Sequence, residues 1–114
     1  MSDLSEGPCP VCRADTPLLP EDKLREHLCS LPGWSVGTYR GERGILRRFQ
    51  FKDFEGAALF MNRVMELATK EGHHPGLELF WYRNVIVFFT SRATRGITQA
   101  DVIMSAKVMK LFSS

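Results

Sequence analysis

Hydrophobic residues recur at helical spacing in the first well-patterned segment of the chain. Leu24, Leu28 and Leu31 follow one another at intervals of three and four residues after Pro20. Proline is tolerated in the first turn of a helix, where its missing N–H is not needed. Pro32-Gly33 cannot continue a helix, so a short helix is predicted between these limits.

Two further helices are predicted with one apolar face each. The first begins at Asp53, a good N-cap residue, and ends at Gly72, a good C-cap residue. Its apolar residues follow the i, i+3, i+4, i+7 pattern and are Phe54, Ala57, Ala58, Met61, Val64, Met65 and Ala68. The second opens with Thr98-Gln99-Ala100-Asp101, which resembles a capping box. Its apolar face is Val102, Ala106, Met109 and Phe112.

The remaining patterned segments predict two β-hairpins. Residues 34–39 and 45–51 are rich in β-forming residues and flank a turn that contains glycine, whereas residues 77–82 and 85–91 flank Arg83-Asn84. The order of elements is therefore α-β-β-α-β-β-α. Two hairpins and three one-sided helices predict an α+β fold with a four-stranded antiparallel sheet and helices packed on one face.

The amino-terminal segment differs from the rest of the chain. Residues 1–18 hold prolines, glycine and Cys9-Pro10-Val11-Cys12, which predicts an extension without its own core, followed by one domain over residues 19–114. The Cys-x-x-Cys supplies only half of a structural zinc site. Cys29 and His27 would have to complete it, but residues two apart on a helix face different ways. Reduced thiols without a metal are the favoured interpretation.

Composition and charge narrow the class of protein. The chain has 114 residues, 44% of them hydrophobic and 25% charged, with a formal net charge of +2. This balance is ordinary for a globular domain and disfavours a nucleic-acid surface. Arginines 40, 43, 47 and 48 are interpreted as the solvated side of a hairpin. The polar, acidic start and the lack of an apolar run of about 20 residues predict a cytoplasmic location without membrane association.

His73-His74-Pro75 is the strongest chemical signal in the sequence. Histidine has an unperturbed pKa of about 6.5, so it can both donate and accept protons near neutrality. The pair therefore indicates acid–base chemistry on a bound molecule. On composition alone, the alternative is a helix end at which the histidines favour the helix dipole and Pro75 stops the helix.

The surroundings of this pair resemble the pterin-4a-carbinolamine dehydratase family over roughly residues 20–112. The resemblance rests on Leu31-Pro32-Gly33-Trp34, Phe49-x-Phe51-Lys52-x-Phe54, Glu71-Gly72-His73-His74-Pro75, Trp81, Arg95-Gly96-Ile97-Thr98 and Asp101. It implies a hydro-lyase that removes water from 4a-hydroxytetrahydropterin without a cofactor and so supports tetrahydrobiopterin recycling. It also implies a homodimer or homotetramer.

The resemblance also implies roles for individual residues. His74 would be the principal acid and base, and His73 its partner in binding or proton transfer. Trp81 or Tyr82 would close the pterin site, and Asp101 would orient a neighbouring group or contact substrate. Such proton transfer suits histidine because its pKa lies near the working pH.

The sequence departs from the family pattern at two positions. The family usually has a third histidine nine residues before the aspartate, where this chain has Arg92, preceded by Thr90-Ser91 as candidate substrate contacts. Glutamate is frequent four residues before the first histidine, where this chain has Thr69. Arginine stays charged and cannot accept a proton, but it could hold a leaving hydroxide or the pterin carbonyl. The alternative is a catalytically weakened relative that acts as a protein-binding or assembly factor.

Overall fold

The structure, a computed structural model, describes residues 4–10 and 13–113. Its elements in chain order are α1 (Glu21–Cys29), β1 (Ser35–Tyr39), β2 (Glu42–Gln50), α2 (Phe54–Glu71), β3 (Gly76–Phe80), β4 (Asn84–Phe89) and α3 (Gln99–Ser113). The predicted α-β-β-α-β-β-α order is confirmed.

The four strands form one antiparallel sheet in the order β1-β2-β4-β3. The two hairpins therefore meet through β2 and β4, which are the central strands. Helices α2 and α3 contact each other and both contact β4. The predicted α+β fold with helices on one face of the sheet is confirmed.

The hydrophobic core lies between the sheet and the helices. Alternate side chains of the central strands face it and are almost fully buried, namely Ile45, Phe49, Val85, Val87 and Phe89. Val64 of α2 and Val102 of α3 meet them from the helical layer, both with no exposed surface. This alternation fixes the register of β2 against β4, since a slip by one residue would turn every core side chain to the opposite face.

The caps of the two long helices agree with the sequence. Asp53 Oδ1 accepts a hydrogen bond from Gly56 N at 2.8 Å, and Gly72 ends α2 in the left-handed conformation with φ +72°. At the start of α3, Thr98 Oγ1 accepts from Ala100 N at 3.2 Å, while Asp101 Oδ2 accepts from Thr98 N at 2.9 Å. The bond from Thr98 N to Asp101 is that of a capping box, whereas the Thr98 side chain caps Ala100 N, one residue earlier than in that motif.

Both hairpin turns differ from the predicted ones. Tyr39 pairs with Glu42, so the first turn is only Arg40-Gly41, and both residues have the positive φ that such two-residue turns require. The prediction of a five-residue turn was wrong because the strands pair further than their apolar residues extend. In the second hairpin Phe80 pairs with Asn84, which leaves residues 81–83 as the turn. The prediction that residues 81 and 82 continue a strand was therefore wrong.

Residues 4–10 pack against the helical layer. Cys9 is buried, and its backbone N–H donates to Glu71 Oε1 at 2.8 Å. Lys107 Nζ donates to the carbonyl oxygens of Gly7 at 2.6 Å and Ser5 at 3.1 Å. Cys12 lies outside the described residues. The division of the chain at residues 18 and 19 stays a prediction.

Candidate active site

An open cavity of about 570 Å³ lies where the first hairpin turn, the start of β3 and the end of β4 meet. This is within the size range of small-molecule sites. Its lining residues are Tyr39, Arg40, Glu42, Gly72, His73, His74, Pro75, Gly76, Phe88, Thr90, Arg92 and Ala93. The antiparallel pairing of Gly76 with Phe88 places the start of β3 beside the end of β4, which brings these segments together.

The end of α2 positions both histidines at this cavity. Gly72 adopts φ +72°, a conformation that glycine reaches without steric cost, and its N–H donates to Ala68 O at 2.9 Å. Pro75 cannot continue the helix, so residues 73–75 form a short link between α2 and β3. His73 points inward and is 8% exposed, whereas His74 is exposed on the cavity wall.

A buried hydrogen-bond network fixes the ring of His73. Its Nε2 lies 2.7 Å from Oδ1 of Asp101, whose side chain has no exposed surface. The ring also stacks on Phe89, with centroids 5.8 Å apart and planes 13° from parallel. Because a carboxylate only accepts hydrogen bonds, Nε2 carries the hydrogen of neutral His73 and Nδ1 is the nitrogen without one.

Asp101 is itself held by hydroxyl and amide donors. Oδ2 accepts from Ser91 Oγ at 2.8 Å and from Thr98 N at 2.9 Å. Ser91 Oγ lies 2.7 Å from Thr98 Oγ1, so the threonine hydroxyl donates to the serine while the serine donates to the carboxylate. One carboxylate oxygen thus completes the cap of α3 and the other orients His73. A carboxylate that orients a histidine is a recurrent arrangement in general acid–base sites.

The other predicted site residues fall into two groups. Thr90 and Arg92 line the cavity, and the Arg92 side chain is 83% exposed with Nε 3.7 Å from Glu42 Oε2. Ser91 and Asp101 lie behind His73 and do not line the cavity. Trp81 is 77% exposed in the β3–β4 turn, at the opposite end of β3 from His73 and His74. Within one chain the structure does not bring Trp81 together with the histidines.

The first hairpin contributes a wall of the cavity that sequence reasoning missed. The ring of Tyr39 packs on Phe88 at 5.3 Å, and its hydroxyl donates to Glu78 Oε2 at 3.1 Å. Hydrogen bonding to Tyr39 raises the pKa of Arg40, which stays charged. Tyr39 and Arg40 are far from the histidine pair in sequence. The pairing of β2 with β4 joins the first hairpin to the second and brings them close. No local motif marks them.

The described part of the chain shows neither a metal-binding cluster nor a membrane-spanning helix. Among residues 4–10 and 13–113, no group of three His, Cys, Asp or Glu side chains is arranged to hold a metal ion. Cys12, one of the possible zinc ligands named above, lies outside that part. Over the same residues, no helix has the length and apolar character required to cross a membrane.

The fold and the site together define a small α+β domain in which a buried carboxylate holds a histidine at an open cavity. The chain belongs to the pterin 4 alpha carbinolamine dehydratase family, whose model matches residues 17–111. This agrees with the resemblance found in the sequence.

Individual relatives are consistent with this membership. The chain is 39% identical over 112 residues to a protein of Saccharophagus degradans named "Putative pterin-4-alpha-carbinolamine dehydratase", covering 98% of both chains. It is 32% identical to a transcriptional coactivator/pterin dehydratase from Brucella melitensis, whose crystal structure has a TM-score of 0.73 and matches 83% of this chain and 98% of that one.

A more distant structure shares the fold. A pterin dehydratase-like protein described as a RuBisCO assembly factor in the alpha-carboxysome is 23% identical, with a TM-score of 0.58. The match covers 72% of this chain and 92% of that one. At this identity the likeness concerns the fold alone.

Proposed function

We propose that this protein dehydrates 4a-hydroxytetrahydropterin to quinonoid dihydropterin and so supports the recycling of tetrahydrobiopterin. The observation that carries the proposal is the Asp101–His73 pair at a cavity that His74 also lines. Membership of the dehydratase family supports the same reaction. A cytoplasmic location and a homodimer or homotetramer remain predictions that accompany it.

The reaction needs one proton removed and one delivered. A base takes the proton from the ring nitrogen beside the carbinol carbon, and an acid protonates the hydroxyl on that carbon. The carbon–oxygen bond then breaks, water leaves, and the nitrogen lone pair forms the new carbon–nitrogen double bond. No electron enters or leaves, so the two proton transfers are all that the side chains have to supply.

We assign these transfers to the histidine pair. His74 is the principal acid and base because it is exposed on the cavity wall. His73 is its partner, held in one tautomer by Asp101. Arg92 lines the same cavity and is assigned to the departing hydroxyl or to the pterin carbonyl, while Thr90, also in the lining, is assigned to substrate binding. The contact of Trp81 with substrate also remains a prediction.

The experiment is a comparison of dehydration rates for freshly generated 4a-hydroxytetrahydropterin. His74→Ala is expected to lower the enzymatic rate by about 10²–10⁴-fold, the usual contribution of a positioned acid or base. His27→Ala is the matched control, because His27 lies on α1 and does not line the cavity. A wild-type rate equal to buffer, or equal rates for the wild type and His74→Ala, would refute the proposal.

A second variant separates the two functions that the sequence left open. If Arg92 weakens catalysis because it cannot accept a proton, Arg92→His is expected to raise the dehydration rate. The exposure of Arg92 allows the change without burying a new group. If neither the wild type nor Arg92→His dehydrates the pterin, the protein-binding or assembly role becomes the better hypothesis.

A further inference from the structure

Residues 4–10, the amino-terminal strap, attach to the last residue of α2. The backbone N–H of Cys9 donates to Glu71 Oε1 at 2.8 Å, and Lys107 Nζ lies 3.8 Å from Glu71 Oε2. The Glu71 side chain is only 10% exposed and does not line the cavity. This carboxylate is therefore not placed to exchange protons with a molecule in the cavity, and its role lies in the contacts that it makes with the strap and with α3.

The strap also attaches to α3. Lys107 Nζ donates to the carbonyl oxygens of Gly7 at 2.6 Å and Ser5 at 3.1 Å. At the start of the same helix, Cys9 Sγ lies 3.9 Å from the carbonyl oxygen of Ala100. Ser5 and Cys9 are both buried, so the strap is packed against the protein at two points along its length. One short segment thus joins the end of α2 to the first turn and to the middle of α3.

These attachment points lie next to the contact that holds His73. Glu71 precedes His73 by two residues, and Ala100 directly precedes Asp101. Gly72, with φ +72°, separates Glu71 from the histidine, and glycine is the residue whose backbone is least restricted. Helix α2 by itself therefore does not fix where His73 lies. Its 2.7 Å contact with Asp101 depends on how the end of α2 packs against α3.

The contacts of the strap are strong enough to influence this packing. The Glu71 carboxylate accepts from a backbone N–H, and the Lys107 ammonium donates to two carbonyl oxygens. Such charge-assisted bonds are about twice as strong as neutral ones. Leu4 and Cys9 add apolar contacts with the core. A displacement of about 1 Å in a reacting group lowers a rate by as much as about 10²-fold, so a small shift at the end of α2 is enough to affect catalysis.

We propose that the amino-terminal strap positions His73 for proton transfer, and that Glu71 and Lys107 are the positioning residues through which it acts. The strap holds the end of α2 against α3 and so keeps the ring of His73 at hydrogen-bonding distance from Asp101. Its effect on the rate rests on the proposed function, whereas the position of the ring can be measured without any substrate. A strap that only stabilised the fold would change the melting temperature and leave the His73 ring unaffected.

The test compares the full-length wild type with Glu71→Ala and Lys107→Ala, by NMR and by the dehydration assay. The Nε2–H proton of His73 is bonded to a buried carboxylate, so we expect it to exchange slowly with water in the wild type. Both variants should speed this exchange by about tenfold or more, since local opening at the end of α2 becomes more frequent. They should lower kcat by about tenfold or more and leave KM within about twofold, because the cavity lining is unchanged.

Two further variants separate positioning from stability. Glu71→Gln keeps an acceptor for the Cys9 N–H, and it should stay within about threefold of the wild type in both measurements. Asp53→Ala removes the N-cap at the opposite end of the same helix, about 27 Å away. It should lower the melting temperature by about 4–8 °C, as Glu71→Ala does, but leave the His73 proton and kcat unchanged.

The outcomes distinguish the strap from the proposed reaction. A His73 proton that exchanges as slowly in Glu71→Ala and Lys107→Ala as in the wild type would overturn the inference, even if both variants melt at a lower temperature. The same loss in Asp53→Ala would also overturn it, because the effect would then follow stability alone. The two alanine variants combined should be no slower than the slower single one, since both release one strap, and multiplied effects would contradict this. If the wild type does not dehydrate the pterin, the proposed function fails, and the NMR comparison alone decides the positioning role.

Discussion

Replacing Asp101→Asn should change the protonation pattern of His73 while keeping the shape of the site. Asparagine has one oxygen and one NH₂ group, and the oxygen can continue to accept from Ser91 and Thr98 N. The NH₂ group then faces Nε2 of His73, 2.7 Å away in the native protein. Nε2 must therefore become an acceptor, which moves the hydrogen of neutral His73 to Nδ1.

Asp101→Asn should lower the dehydration rate strongly and the free energy of unfolding only slightly. With its hydrogen on Nδ1, neutral His73 can no longer accept a proton there, and we expect the dehydration rate to fall by about 10²-fold or more. The free energy of unfolding should fall by only about 1 kcal/mol, because most of the network survives. Asp101→Ala removes the buried acceptor of His73, Ser91 and Thr98 N, and should lower the free energy of unfolding by about 3–5 kcal/mol. That loss lowers the melting temperature of a domain of this size by about 12 °C or more.

Three measurements test this reasoning. Long-range nitrogen–proton NMR spectra report the tautomer of His73, urea unfolding gives the free energy, and the dehydration assay gives the rate. Asp53→Asn is the control, because Asp53 caps α2 through Gly56 N and asparagine caps a helix almost equally well. If His73 kept its hydrogen on Nε2 in Asp101→Asn, or if the rate stayed within threefold of wild type, the assigned role of Asp101 would be wrong.

Three further predictions concern the framework of the site. Trp81→Asn combined with Tyr82→Gly should raise the free energy of unfolding by about 1–2 kcal/mol. The reason is that φ is +47° and +53° at these positions, and asparagine and glycine adopt positive φ at lower cost than aromatic residues. A tenfold slower dehydration by the same variant would support the predicted contact of Trp81 with substrate. Gly44→Ala should lower the free energy of unfolding by about 1–3 kcal/mol, because the added Cβ would clash with the backbone oxygen of Phe89 and would lie 2.6 Å from the Phe88 ring. An unchanged urea midpoint would contradict this. Glu71→Ala should lower the free energy of unfolding by about 1–2 kcal/mol, because it removes the acceptor for the Cys9 N–H and one partner of Lys107, which keeps its bonds to Gly7 O and Ser5 O. The same change should speed amide exchange in residues 4–10, and unchanged exchange there would contradict it.

Much of the fold follows from local sequence patterns. The helical spacing and the caps at Asp53 and Gly72 determine α2, and the capping box at Thr98 and Asp101 determines the start of α3. The turns were predicted less well. Residues 81 and 82 are β-forming aromatics, and nothing local reveals that the pairing of Phe80 with Asn84 forces them into a turn.

The sequence by itself determined the element order, the family and the histidine pair, because each is encoded by residues close together in the chain. Only the tertiary structure decided what surrounds that pair. It showed that Asp101 serves a helix cap and a histidine at once, and that Trp81 lies at the far end of β3. It also gathered Arg40 of the first hairpin and Arg92, which follows β4, around the same cavity. The contact of His73 with Asp101 depends on the packing of α3 beside the end of α2, and the gathering of the arginines depends on the pairing of β2 with β4. Both are set by the burial of the core and have no local signature in the sequence.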